Sequence, residues 1–150
     1  KKKREPYLIE YNIRMGDPEC QVILPRLKTD IVKVFKNSLA NKLKNIKIKW
    51  KDQKSMTIVL CSKGYPGSYR KEIPINNIDK IKLSKSDFIY HAGTKIINNQ
   101  IISNGGRLLN ITSNGNSFVK IRNKIISIIK KLNCKYIFYR KDIGWKVISK

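Results

Sequence analysis

The chain has 150 residues and a mass of 17.4 kDa, which suffices for one domain with a hydrophobic core but not for two full domains. Its hydrophobic content of 41% and charged content of 29% are typical of a globular protein, and no run of about 18 apolar residues predicts a membrane span. The basic N-terminal residues are not followed by an apolar run, so we expect no secretory signal and a cytoplasmic protein.

The net charge of +23 suggests nucleic acid as a partner, because a basic surface attracts phosphate backbones. However, the lysines are spread along the whole chain among many isoleucines and asparagines, while alanine occurs only at Ala40 and Ala92. This composition is typical of an AT-rich genome. We therefore favour compositional bias over a selected polyanion surface, and a basic nucleic-acid-binding module is kept as an alternative function.

Three cysteines, Cys20, Cys61 and Cys134, lie far apart without a CxxC pair or a nearby histidine cluster. Their odd number and wide spacing fit neither a zinc site nor a disulfide framework. We expect them to be reduced and buried thiols with a structural role.

The first predicted element is a strand over Pro6–Ile13, in which apolar and polar side chains alternate. The apolar row, which we expect to be pressed into a core, consists of Tyr7, Ile9, Tyr11 and Ile13. The opposite row carries Glu10, Asn12 and Arg14. Two hard oxygen ligands beside a guanidinium suit Mg²⁺ and a phosphate, but an exposed polar strand face explains the same pattern.

Two helices are predicted to follow this strand. Asp17 is a candidate N-cap of the first helix, which Pro25 should bend or end. The second helix should begin after Thr29 or Asp30, run to about Lys44 and bury one apolar stripe.

A β-rich apolar run over residues 55–62 predicts a well-buried strand. Residues 88–115 predict a meander of short strands, with turns at Asn98–Asn99 and Asn104–Gly106. This part of the chain should therefore form a mostly antiparallel sheet.

The last part of the chain predicts one long helix and a closing strand region. Ser117 is a candidate cap for an amphipathic helix, and residues 135–149 predict one or two strands. The fold class is α+β, with a strand and two helices followed by a small mixed, mostly antiparallel sheet domain that carries one long helix.

Five motif blocks occur in an order and at a spacing that resemble the phosphoribosylamine-glycine ligase family, which belongs to the ATP-grasp superfamily. The blocks are PYLIEYNIRMGDPECQVILPRL, VLCSKGYPGSY, HAGTK, NGGRLLNITSNG and FYRKDIGW. The resemblance covers nearly the whole chain. It implies that residues 1–45 are the C-terminal end of an ATP-grasp domain and that residues 46–150 are the C-terminal domain of the ligase.

The resemblance also implies a reaction. In this family ATP phosphorylates the carboxylate of glycine, and the amine of 5-phosphoribosylamine attacks the glycyl phosphate, in de novo purine biosynthesis. Glu10 and Asn12 match the family residues that coordinate Mg²⁺ or Mn²⁺ at the ATP phosphates. Arg14 is our candidate for stabilising the phosphoryl or acyl-phosphate charge, with a structural ion pair as the alternative.

The resemblance places further residues near the phosphoribosylamine pocket. The candidate substrate-binding residues are Asp17, Gly93, Thr94, Lys95, Gly105, Gly106 and Arg107. Glycines in these loops would let backbone N–H groups approach an anion, but the loops are also explained as tight turns. For Asp17 we favour the helix cap over a contact with the substrate amine. His91, the only histidine, is explained equally well as a hydrogen-bonded strand residue.

The chain contains neither a GxGxxG nor a GxxxxGK[ST] phosphate loop. We therefore expect it to be the C-terminal portion of a longer enzyme, with the N-terminal part on the same or a separate chain, and to be inactive alone. Its expected partners are ATP, glycine and 5-phosphoribosylamine, with no membrane. A non-catalytic remnant of the ligase fold is the other alternative, although the intact Glu10, Asn12 and Arg14 count against it.

Overall fold

The structure is a computed structural model in which residues 6–148 are described. Its helices are α1 Glu19–Ile23, α2 Ile31–Leu39, α3 Phe118–Lys131 and α4 Trp145–Ile148, with 3₁₀ turns at Leu24–Arg26 and Leu43–Asn45. Its strands are β1 Lys54–Ser62, β2 Asp87–His91, β3 Thr94–Ile97, β4 Gln100–Ser103, β5 Arg107–Gly115 and β6 Ile137–Phe138. No helix among residues 6–148 is long and apolar enough to cross a membrane.

Four strands form one antiparallel sheet in the order β2-β5-β1-β6, and β3 pairs with β4 in a separate two-stranded ladder. β1 and β5 pair along their length, from Lys54 opposite Gly115 to Cys61 opposite Arg107. The predicted mostly antiparallel sheet with one long helix is therefore confirmed. Asn98 and Asn99 both adopt positive φ, 48° and 59°, which forms the tight turn between β3 and β4.

The core lies between one face of this sheet and α3. Alternate residues of β1 point to opposite faces, so one row of the strand is buried while the other is half-buried. The buried sheet residues include Met56, Ile58, Leu60, Leu109 and Ile111, and α3 contributes Ile121, Ile125 and Ile128. Burial of each such side chain contributes about 1.5–3 kcal/mol. The apolar stripe predicted for the long helix is confirmed, as is its cap, because the Ser117 hydroxyl accepts a 3.5 Å hydrogen bond from Lys120 N.

The predicted first strand is wrong. Residues Pro6–Ile13 have no strand partner among residues 6–148, and the apolar row is exposed, with Ile9 at 94% and Ile13 at 101%. A strand is defined by its ladder of hydrogen bonds to a neighbour, and its apolar face needs a covering layer. The described residues supply neither, so the alternating pattern does not produce a buried strand here.

The predicted boundaries of the two early helices are partly confirmed. α1 ends at Ile23, and Pro25 lies in the 3₁₀ turn that follows. Asp30 caps α2, because its Oδ1 accepts hydrogen bonds from Val32 N (2.7 Å) and Lys33 N (3.2 Å). However, α2 ends at Leu39 instead of about Lys44, since the chain turns through Asn41 at a φ of 55°.

Two further expectations are partly confirmed. The closing region was predicted to form one or two strands; among the described residues it forms one, the two-residue strand β6, and then the short helix α4, which was not predicted. The three cysteines are free, but each is half-buried instead of fully buried.

Candidate functional site

Glu10 and Asn12 lie side by side even though they are not in a strand. Asn12 Nδ2 donates a hydrogen bond of 2.9 Å to Glu10 Oε1, and both side chains are exposed. A carboxylate and a carboxamide oxygen are ligands that Mg²⁺ accepts when phosphates and water complete its coordination. Among residues 6–148 no cluster of three or more His, Cys, Asp or Glu side chains could hold a metal. The pair therefore fits a site completed by other ligands, and not a metal cage built from this chain.

Arg14 follows on the same segment. Its Nη1 donates a 2.9 Å hydrogen bond to the backbone oxygen of Met15, and its side chain is exposed. Within the described part of the chain, no carboxylate lies at ion-pair distance from this guanidinium. The structural ion pair considered as an alternative is thus not formed with these residues, and the remaining N–H donors are available to an anion.

The Asp17 side chain does not cap α1. The N-cap position is Pro18, and no side-chain cap bond is formed there. The Asp17 carboxylate instead contacts Asn110 and Arg107 of β5. Asp17 Oδ1 accepts 2.8 Å and 3.5 Å hydrogen bonds from Gln21 Nε2 and Asn110 Nδ2, and Oδ2 lies 3.3 Å from Arg107 Nη1. Arg107 Nη1 also donates to the Asp17 backbone oxygen at 3.1 Å. The predicted cap is therefore wrong, and Asp17 joins two segments that are distant in the sequence.

Asn110 is a site residue that sequence reasoning missed. It is only 1% exposed, and its Oδ1 has no hydrogen-bond partner. It lies on the sheet face opposite α3, together with Thr112, whose hydroxyl donates a 2.8 Å hydrogen bond to Thr57. The sequence did contain a signal for this residue. Asn110, Thr112 and Asn114 alternate along β5, which places polar side chains on the face that does not contact the core.

The two candidate glycine loops pack against each other. Gly93 N donates to Arg107 O at 2.8 Å, so this amide is already satisfied. A Cβ on Gly93 would lie 2.6 Å from Arg107 O and 2.7 Å from the Gly105 Cα, and a Cβ on Gly106 would lie 2.0 Å from the Tyr65 ring. Close packing therefore requires glycine at these positions, which favours the tight-turn interpretation over anion binding by the Gly93 amide.

The remaining predicted residues have local partners. His91 Nδ1 and Thr94 Oγ1 lie 2.9 Å apart, which agrees with a hydrogen-bonded residue at the strand end. Lys95 Nζ forms a 2.8 Å ion pair with Glu72, and the hydrogen bond and charge of Lys95 lower the pKa of that carboxyl. Lys95 is therefore paired with Glu72 in this structure, and its contact with a substrate anion stays a prediction.

A groove of about 380 Å³ brings three of the motif blocks together on the face of the sheet opposite α3. Pro18 from the first block, Tyr65 from the second and Arg140 from the last all line it. Cys61 on β1 also lines this groove; burial raises the pKa of its thiol, and the positive charge of Arg107 lowers it in part. The motif blocks thus lie together in space although they are far apart along the chain.

Relatives of this chain are phosphoribosylamine–glycine ligases. Curated ligases of Caldanaerobacter subterraneus subsp. tengcongensis and Fusobacterium nucleatum are 41% and 43% identical, over 95% and 93% of this chain and 33% of each relative. The chloroplastic ligase of Arabidopsis thaliana is 35% identical over 99% of this chain and 28% of its own length.

A solved structure gives the same result. The crystal structure of the ligase from Thermotoga maritima aligns with a TM-score of 0.68 and 27% identity, covering 92% of this chain and 33% of that one. The chain thus spans about one third of the length of the relatives it matches. The family model described as "Phosphoribosylglycinamide synthetase, C domain" matches residues 55–146, more than half of the chain. The chain therefore belongs to the phosphoribosylglycinamide synthetase C-domain family.

Proposed function

We propose that this chain is the C-terminal part of an ATP-dependent ligase that joins glycine to 5-phosphoribosylamine through a glycyl phosphate. The observation that carries the proposal is the pairing of Glu10 with Asn12 at 2.9 Å in a chain of this family. The Arabidopsis thaliana relative matches the segment that contains this pair as well as the C domain, because its alignment covers 99% of the chain. The pair supplies the oxygen chemistry that a nucleotide-bound Mg²⁺ or Mn²⁺ requires.

Residues 1–45 are proposed to be the end of the ATP-grasp domain, and residues 46–150 the C-terminal domain. Support comes from burial: none of the described residues between 6 and 55 is buried. The exposed face of α2 carries the apolar residues Val32, Phe35 and Leu39. Contiguous apolar surface of this kind is typical of an interface, and the remainder of the ligase would cover it.

Each residue of the proposed phosphate site has a separate task. Glu10 and Asn12 would hold the divalent cation, which when bound neutralises charge on the β- and γ-phosphates of ATP. Arg14 would bind the transferring phosphate or the glycyl phosphate, since a guanidinium matches these anions with two parallel hydrogen bonds. Positioning and charge stabilisation of this kind are what phosphoryl transfer demands of a protein.

The phosphoribosylamine pocket is proposed to lie against the turns at Gly93–Thr94 and Gly105–Gly106. These turns pack on each other, and Arg107 follows them directly. The Thr94 hydroxyl, which is within hydrogen-bond distance of His91, would be the side-chain donor of this wall.

The test replaces Glu10 in the full-length ligase. We expect Glu10→Ala to lower glycine-dependent ADP release by about a hundredfold or more, because loss of the metal ligand removes several kcal/mol of transition-state stabilisation. Asp79→Ala removes an exposed carboxylate whose side chain forms no hydrogen bond or ion pair within the described part of the chain, so it serves as the control and should retain activity. Near-normal turnover of Glu10→Ala would refute the metal assignment.

A further inference from the structure

We propose that Asp17 and Arg107 form a positioning pair that fixes the segment carrying Glu10, Asn12 and Arg14 against the sheet. This assignment rests on the function proposed for that segment. It replaces both earlier interpretations of Asp17, as a helix cap and as a contact for the substrate amine.

Asp17 is held from several directions. Gln21 Nε2 and Asn110 Nδ2 approach its Oδ1 at 2.8 Å and 3.5 Å, and Arg107 Nη1 approaches its Oδ2 at 3.3 Å and its backbone oxygen at 3.1 Å. A carboxylate has about four acceptor positions; here Gln21 and Asn110 donate to Oδ1, and the guanidinium of Arg107 faces Oδ2. A substrate amine would have to compete with these contacts, so an anchoring role fits the geometry better than substrate binding.

The pair is also the first attachment of the N-terminal segment to the sheet. No hydrogen bond or ion pair joins residues 6–16 to any strand in the part of the chain that the structure describes. Asp17 lies three positions after Arg14, whereas Arg107 is the first residue of β5. β5 pairs with both β1 and β2, so the guanidinium projects from the best-supported strand of the sheet.

Burial and exposure indicate what the pair can contribute. The side chain of Arg107 is 44% exposed and that of Asp17 is 36% exposed. Solvent therefore screens the attraction between the two charges, and loss of the pair should change the free energy of unfolding only slightly. The geometric effect should be larger, because displacement of a catalytic group by about 1 Å costs on the order of 100-fold in rate. A positioning pair should therefore affect turnover far more than it affects folding.

The kinetic test uses Asp17→Ala, Arg107→Ala and Arg107→Lys in the full-length ligase. We expect both alanine variants to lower kcat by about tenfold or more and to raise the metal concentration needed for half-maximal activity. The KM values for glycine and phosphoribosylamine should change less than about twofold, since neither side chain is inferred to touch these substrates. Arg107→Lys should restore part of the loss, because it keeps the charge but not the two-point contact.

A second readout does not depend on activity. Amide hydrogen exchange of α1, in which Cys20 N donates to Gly16 O and Leu24 N donates to Cys20 O, should become faster in Asp17→Ala and Arg107→Ala of the full-length protein, with the thermal midpoint nearly unchanged. The matched control is Glu72→Ala, which breaks the exposed ion pair with Lys95 elsewhere and should leave this exchange at the wild-type rate.

Opposite results overturn the inference. Unchanged exchange, together with a selective rise in the KM for glycine or phosphoribosylamine, would make Asp17 and Arg107 substrate contacts. If the wild-type protein showed no ligase activity, the proposed function would fail. The exchange rates would still decide whether the pair anchors the segment.

Discussion

Residues 6–50 and residues 54–148 form secondary structure by the same local rules but differ in burial. Every buried residue of the described chain lies in the second region, at or after Met56, and none lies in the first. α2 and α3 are both amphipathic and both capped by a polar side chain, yet only α3 is covered by a sheet. A capped amphipathic helix therefore does not by itself make a core, since tertiary partners supply most of its stabilisation.

The largest expected difference between the two regions is in the free energy of unfolding after one leucine of each region is replaced by alanine in the 150-residue chain. Leu60→Ala should lower the free energy of unfolding by about 2–5 kcal/mol, because Leu60 is fully buried between the sheet and α3. Leu39→Ala should change it by less than about 0.5 kcal/mol, because this side chain is 87% exposed. Urea denaturation followed by circular dichroism measures both.

Equal losses in the two variants would contradict the contrast between the regions. Measuring both variants in the full-length ligase would test the contrast further, because the remainder of the proposed ATP-grasp domain should cover α2 there. The cost of Leu39→Ala should then rise, while the cost of Leu60→Ala should stay the same.

A buried carboxylate gives the second region a pH dependence. The Asp87 side chain is 2% exposed, and it accepts hydrogen bonds from Ser113 (2.7 Å) and Ser84 (2.6 Å) and pairs with Lys124 at 2.9 Å. Burial acts to raise the pKa of Asp87, but the hydrogen bonds from Ser84, Lys124 and Ser113 outweigh it and hold the pKa below its ordinary value. The network therefore stabilises the fold only when Asp87 is ionised.

Asp87→Asn should lower the free energy of unfolding at pH 7 by about 1.5–3 kcal/mol, the range for hydrogen bonds to a charged group. Because the folded pKa lies below the unfolded value of about 3.9, this stabilisation is complete above that value and is lost as pH falls through the folded pKa. The difference between wild type and variant in urea denaturation should therefore shrink in acid. A difference that stays constant as the solution is acidified would show that the contribution of Asp87 to stability does not depend on its ionisation.

The smallest effect concerns the helix caps. Ser117→Ala removes the capping hydroxyl of α3 and should lower the global free energy of unfolding by about 0.5 kcal/mol. This value is at the low end for a helix cap, because the hydrogen bond is long at 3.5 Å. Asp30→Ala removes a shorter cap bond of 2.7 Å, but it should fray α2 locally without lowering global stability. Hydrogen exchange of α2 and α3, read beside urea denaturation, separates local from global loss. A global loss in Asp30→Ala would mean that α2 is packed in solution.

Sequence patterns predicted β1, the turn between β3 and β4, and α3 of the second region, because these features have local causes; they did not predict α4. The apolar run of β1, the asparagines between β3 and β4, and the stripe and cap of α3 each report on a few neighbouring residues. In the first region the same alternation over Pro6–Ile13 predicted a strand that is not formed. An alternating pattern shows which side of an extended segment is apolar, but it does not show whether a neighbouring strand is present to pair with it.

The candidate site was only partly predictable for a related reason. Glu10 and Asn12 are two positions apart, so the local pattern placed them together even without a strand. Asp17 and Arg107 are far apart in the sequence, and neither segment carries a signal that it contacts the other. Gly93 and Gly105 likewise meet only through the folded turns. Contacts across such distances follow from the topology, which the local patterns do not encode.

The position of β1 in the sheet has a consequence for synthesis of the chain. β1 precedes the other strands of the described residues in the sequence, but its neighbours β5 and β6 come much later in the chain. During translation β1 therefore has no hydrogen-bond partner from its own sheet until β5 has left the ribosome. A product terminated before Arg107 would expose a strand of high β-propensity, and such species aggregate. Premature termination inside this domain should therefore yield insoluble fragments in place of soluble partial folds.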